Sequence, residues 1–129
     1  MQFPTNLKYS KEHEWVRLEG NKAVVGITDF AQSQLGDVVF VELPTVGAAA
    51  VAGKRFSVVE SVKAVSDIFA PVNGTVVEIN EALNDAPEKV NQDPYGQGWI
   101  AVLELTDVAG LNELMDSEAY AAQVAKGGH

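Results

Sequence analysis

The sequence predicts a mainly β fold, a sandwich or barrel of short strands with a few short helices. Two observations point there. Apolar runs rich in Val, Ile and Phe recur along the chain between Gly, Pro, Asn and Asp, and helix-period segments are scarce. Such side chains fit a pleated, half-buried surface, and many short strands at close spacing suit a closed or double-layered β architecture. With 129 residues, 47% hydrophobic and 21% charged, the chain has the length of one compact domain and is too apolar for disorder.

Strands are expected at Trp15–Leu18, Ala23–Ile27, Val38–Leu43, Phe56–Val59, Gly74–Ile79 and Trp99–Leu105. Turn residues separate them at Glu19–Lys22, Pro44–Gly47 and Val72–Gly74, where Gly74 is expected at φ > 0. A short helix is expected over Asp29–Leu35, with Thr28 as its cap, Asp29 in the first turn and Gly36 as its stop. A C-terminal helix is expected over about residues 117–126, with Ser117 as N-cap and Gly127 just past the end. Leu111, Leu114 and Met115 read as a shorter turn before it. A weak internal echo relates Gly36–Val41 to Gly74–Ile79. If it reflects duplication, it implies two similar β layers with a hairpin between them.

Composition excludes several function classes. Lys and Arg total 9 against 18 Asp and Glu, a formal net charge of -9, which repels phosphate backbones and anionic lipid, so neither nucleic acid nor membrane is an expected partner. There is no cysteine and only two histidines, His13 and His129, so thiol chemistry and a multi-histidine metal site are out of reach. No run approaches the apolar length of a membrane helix. Met1–Thr5 lacks the pattern of a secretory signal, so the cytoplasm is the expected location, although a processed mitochondrial protein would read the same way.

The segment Phe56–Val72 reads as a hairpin with Lys63-Ala64 near its middle and Glu60 and Asp67 on either side. A lysine is ordinarily a surface residue, and its amine stays protonated at neutral pH. Flanking carboxylates favour the charged form, which disfavours a Schiff-base or general-base role. What remains is a lysine presented to another enzyme.

Glu60-Ser61-Val62-Lys63-Ala64 and its strands resemble the attachment hairpin of lipoyl carrier domains. Four further blocks narrow the resemblance to the glycine cleavage H-protein family. They are Tyr9 with His13-Glu14-Trp15; Gly26–Gln32; Leu35–Pro44; and Asn91 with Pro94-Tyr95-Gly96 and Gly98-Trp99. The match runs in family order over roughly residues 7–126.

That resemblance implies a flattened barrel-sandwich hybrid of two antiparallel sheets with short helices, formed by residues 1–129 as a single lipoyl-carrier domain. It implies lipoic acid in amide linkage on Lys63, recognised with Glu60, Ser61, Val62 and Ala64. The implied role is a non-catalytic shuttle of one-carbon metabolism. The arm would take the aminomethyl group of glycine from the pyridoxal-phosphate-dependent decarboxylase (P protein) to the tetrahydrofolate-dependent aminomethyltransferase (T protein). Dihydrolipoamide dehydrogenase (L protein) would reoxidise it, and a lipoate-attaching enzyme would load it. An alternative within the family is an H-like lipoyl relay to other lipoate-dependent enzymes.

Glu14 and Asp67 match family positions that contact the cationic cargo, a role suited to carboxylates. On physical grounds alone they read as a solvated edge-strand charge and a turn residue. The chain departs from the family at Glu12, often Ser, and at Gln34, often His; both are further arm-contact candidates. His13 reads as structural or surface, and Trp15, Tyr95 and Trp99 as core or rim packing. A biotin carrier would bracket its lysine with methionines, whereas Val62 and Ala64 flank Lys63. An enzyme using Glu14 and Asp67 as a carboxylate pair lacks a visible nucleophile, phosphate loop or metal cluster.

Overall fold

A computed structural model describes residues 1–127. His129, counted above as the second imidazole, lies outside the described residues. Among the described residues, nine strands form two antiparallel sheets. The larger contains β1 (Lys8–Tyr9), β2 (Glu14–Glu19), β3 (Lys22–Ile27), β5 (Ala49–Ala50), β8 (Gly74–Ile79) and β9 (Ala101–Leu105), in the order β1-β2-β3-β9-β8-β5. The smaller contains β4 (Val38–Glu42), β6 (Arg55–Ser61) and β7 (Val65–Phe69), in the order β4-β6-β7.

The apolar run Ala23–Ile27 does not alternate with polar residues because β3 is buried on both faces. Val25 packs between the sheets with Val16, Val76 and Leu103. Val24 faces the other way, onto Tyr9, Trp15, Val102 and Tyr120. A second inter-sheet cluster joins Ile27 and Ile100 to Val41, Val59 and Ile68 of the small sheet. Trp15 pairs with Gly26 across β2 and β3, and a Cβ at Gly26 would sit 2.7 Å from the indole. The indole Nε1–H donates to the Pro94 carbonyl at 2.9 Å, so the buried ring keeps its one hydrogen bond.

Helix α1 (Asp29–Leu35) forms as expected: Thr28 Oγ1 accepts the Ala31 N–H, and Gly36 takes φ 75° at its end. The four-residue helix α2 (Lys89–Gln92) was not foreseen. Helix α3 (Ser117–Ala125) is capped one residue earlier than expected, because Asp116 rather than Ser117 accepts the Ala119 N–H, at 2.8 Å. A five-residue 3-10 turn, Ala109–Glu113, comes just before it. No described helix is long and apolar enough to cross a membrane.

The echoed strands lie in different sheets, and their leading glycines serve different purposes. Gly36 has a left-handed backbone, whereas Gly74 does not. The expectation of φ > 0 at Gly74 is therefore corrected. Gly74 starts β8 opposite Leu105, and a Cβ there would meet the Glu104 carbonyl oxygen at 2.6 Å. Close approach of the β9 backbone demands glycine. Gly74→Ala should accordingly lower stability by about 1–3 kcal/mol through overpacking, read as a shifted urea midpoint. An unchanged midpoint would refute the close approach.

Candidate functional site

The hairpin of β6 and β7 turns at Val62-Lys63-Ala64. Ser61 organises the tip. Its N–H donates to the Ala64 carbonyl at 2.8 Å, and its Oγ accepts the N–H groups of Ala64 at 3.1 Å and Lys63 at 3.3 Å. The Val62 N–H donates to the Asp37 carbonyl at 2.9 Å, joining the tip to the corner between α1 and β4. Lys63 is exposed, and among the described residues no ion pair engages its amine. Its stem lies over the end of α1, so that a Cβ on Gly36 would come within 3.4 Å of Lys63 Cε.

Val62, Val65, Val39 and Phe40 are all exposed around this lysine, with Glu60 half-buried among them. The register explains why. Phe40, Glu60 and Val65 are paired neighbours on the outer face of the small sheet, while Val41, Val59 and Ser66 point inward.

Beside α1 lies a cleft of about 370 Å³ lined by Glu12, His13, Phe30, Gln34, Leu35 and Ser66, with Ala31. An adjoining groove of about 590 Å³ includes Glu14, Phe69, Pro71 and Leu114 in its lining, and Glu12 belongs to both. Of the residues singled out in the sequence, the structure brings Glu12 and Gln34 together in the cleft. It sets Glu14 in the neighbouring groove. Asp67 belongs to neither lining; it is exposed on β7, with Arg55 Nη1 at 3.7 Å.

Neither physical alternative for the two carboxylates fits their placement. Asp67 is mid-strand rather than in a turn. Glu14, at the start of β2, is only 2% exposed rather than solvated. Its carboxylate accepts hydrogen bonds from the Ser10 hydroxyl and, at 3.2 Å, from the Phe69 N–H. Burial pushes its pKa up to about 7, with these two bonds pulling the other way.

His13 has a left-handed backbone, φ 75°, and its Nδ1 lies 2.8 Å from the Tyr120 hydroxyl, which in turn lies 2.7 Å from Thr28 Oγ1. The C-terminal helix is thereby tied to the cleft wall and to the cap of α1. His13 thus has the structural role expected of it. Ser10, Phe30, Leu35 and Ser66 were not foreseen as lining or supporting residues. Strand alternation through Ser66 and Ile68 was the one signal that could have found Ser66.

The raised Glu14 pKa has a definite sign. Between about pH 4.5 and 7 the folded chain holds a proton that the unfolded chain has released, so stability falls as pH rises through that window. The full effect is at most about 3 kcal/mol at 1.36 kcal/mol per pKa unit. Glu14→Gln should remove this component. Urea unfolding at pH 5 and pH 8 should show a smaller loss of stability in the variant; equal losses in both proteins would contradict the buried, half-protonated carboxyl.

The Glycine cleavage H-protein family profile matches residues 7–127. The chain is 60% identical over 124 residues to the glycine cleavage system H protein of Brevibacillus brevis, covering 96% of this chain and 98% of that protein. It is 59% identical over 124 residues to that of Symbiobacterium thermophilum, covering 96% and 97% respectively. A crystal structure of the glycine cleavage system H protein from Mycobacterium marinum superposes with a TM-score of 0.88 at 40% identity, covering 95% of this chain and 99% of that one. A stiffly held hairpin lysine, a cleft beside it and these matches along nearly the whole chain lead to one conclusion: the chain belongs to the glycine cleavage H-protein family.

Proposed function

We propose that Lys63 is the attachment point of lipoic acid and that residues 1–129 act as one carrier domain. The protein is a non-catalytic component of the glycine cleavage system. It moves the aminomethyl group of glycine from the decarboxylase (P protein) to the aminomethyltransferase (T protein) and is reoxidised by dihydrolipoamide dehydrogenase (L protein). The observation that carries this reading is an exposed amine at the tip of a hydrogen-bonded hairpin, its stem laid over Gly36 next to the α1 cleft.

The residues present fit the group. An amide linkage needs an accessible amine, and Lys63 has one. Phe30, Ala31 and Leu35 give the cleft an apolar wall for an aliphatic arm, while Glu12 and Gln34 add polar contacts. Bound on Lys63, the lipoyl group supplies the disulfide and thiol chemistry of the shuttle.

The chain's own residues anchor, orient and shield. Ser61 stiffens the tip. Glu60, Val62 and Ala64 form the face that a lipoate-attaching enzyme reads. Glu12 and Glu14 provide carboxylates for a cationic cargo, and Gln34 a neutral amide that both donates and accepts. Asp67 is on the opposite face of β7 from the cleft residue Ser66, so its part is negative charge at a distance rather than direct contact with an arm in the cleft. The net charge of -9 favours partners with basic docking surfaces, with encounter rates that fall as salt rises. This reading places the protein in the bacterial cytoplasm.

Lys63→Arg keeps the charge and the hairpin but removes the acylable amine. After expression with lipoate and an attaching enzyme, peptide mapping should find the lipoyl group at Lys63 in the parent and none in the variant, at equal melting temperatures. Lipoylation of a different lysine, or an unmodified Lys63 in the parent, would overturn the assignment.

A further inference from the structure

The corner between α1 and β4 is where a helix end and a strand start leave backbone groups to be satisfied. A single side chain from the distant helix α2 satisfies two of them. Asn91 Nδ2 donates to the Gly36 carbonyl at 2.9 Å, and Asn91 Oδ1 accepts the Val38 N–H at 2.8 Å. Nδ2 also donates to Gln32 Oε1 on α1, at 3.0 Å. The residue between, Asp37, uses its carbonyl to hold the Val62 N–H. Val38 pairs directly with Ser61, the organiser of the hairpin tip, just before the bulge at Val39. Gly36 is the surface on which the Lys63 stem rests.

We infer that Asn91 is a positioning residue for the Lys63 arm. Its hydrogen bonds engage Gln32, Gly36 and Val38, none of which lines the cleft, and it acts through the Gly36–Val38 corner. By fixing both sides of Asp37 it sets where the Asp37 carbonyl points, and therefore where the Val62–Lys63 tip sits relative to α1. An amide is suited to this task because it donates to one backbone group and accepts from another two residues away; a carboxylate would lack the donor and a hydroxyl would lack the span. The inference rests on Lys63 being the arm's anchor, since only then does the direction of the stem matter to function.

The test uses the lipoylated full-length protein and hydrogen exchange at the Val62 amide. Asn91→Ala should accelerate that exchange at least tenfold, as expected when both hydrogen bonds that Asn91 makes to the corner are lost. It should also lower the backbone order parameter at Lys63. Asn91→Asp retains the acceptor for Val38 and should give a smaller acceleration; it carries the test if the alanine variant does not fold.

Asn80→Ala is the matched control. Asn80 is a buried amide that also donates two hydrogen bonds, to the Gln97 and Trp99 carbonyls at 2.8 Å each, and none of its partners belongs to the corner. Compared at equal loss of melting temperature, Asn80→Ala should leave Val62 exchange and Lys63 order at parental values. Equal acceleration in the Asn80 and Asn91 variants, or none in the Asn91 variants, would overturn the inference. The Val62 amide reports the tip with or without a prosthetic group, so this failure is distinct from a failure of Lys63 as the anchor, which peptide mapping reads.

Discussion

One backbone hydrogen bond, from the Val62 amide to the Asp37 carbonyl, joins the tip of the β6–β7 hairpin to the corner where α1 gives way to β4. A hairpin tip without such a tether would leave its side chains free to sample many directions. With it, and with Ser61 closing the turn from inside, Lys63 stands at a fixed place beside Gly36 and at the edge of the cleft. The rigidity belongs to the root, and the freedom belongs to whatever the amine carries. A carrier needs both, because a tethered group gains effective concentration at a docked partner only if its root is reproducibly presented.

The two sheets serve this arrangement. β6 is the central strand of the small sheet, held on one side by β4 and on the other by β7, so the Lys63 hairpin is built on interior packing through Val41, Val59 and Ile68. The large sheet is buried on both faces around β3 and β9, which lets α3 pack against its far side through Tyr120. Tyr120 then reaches His13 and Thr28, linking the C-terminal helix to the cleft wall and to the cap of α1. The acidic groups are divided by burial. Glu12 is exposed at the boundary of cleft and groove, whereas Glu14 is sequestered with its proton affinity raised.

Much of this was legible in the sequence where local chemistry decides structure. Thr28, Asp29 and Gly36 announced α1 because capping and a left-handed stop are local requirements. The valine-rich runs announced strands, and the position of Lys63-Ala64 between two such runs announced the turn. Helix α2 was hidden because four residues are too few to show a period. The cap of α3 was displaced by one residue because Asp116 and Ser117 are both good caps, and local sequence does not rank two adjacent candidates. The requirement for glycine at position 74 is a tertiary fact, set by the β9 backbone. The burial of Glu14 was equally invisible, since it depends on Ser10 and on the Phe69 amide 55 residues away.

The most direct measurement is reconstitution of glycine cleavage from the purified decarboxylase, aminomethyltransferase and dihydrolipoamide dehydrogenase with glycine, tetrahydrofolate and NAD+, the oxidant that lets the dehydrogenase return the dithiol to the disulfide. The protein is added in two forms, prepared with and without lipoate. Ammonia release should rise in proportion to the lipoylated form and stay at background with the unmodified one. Equal release with both forms, or none above background with the lipoylated form, would contradict the account of Lys63 as the anchor of a working carrier arm.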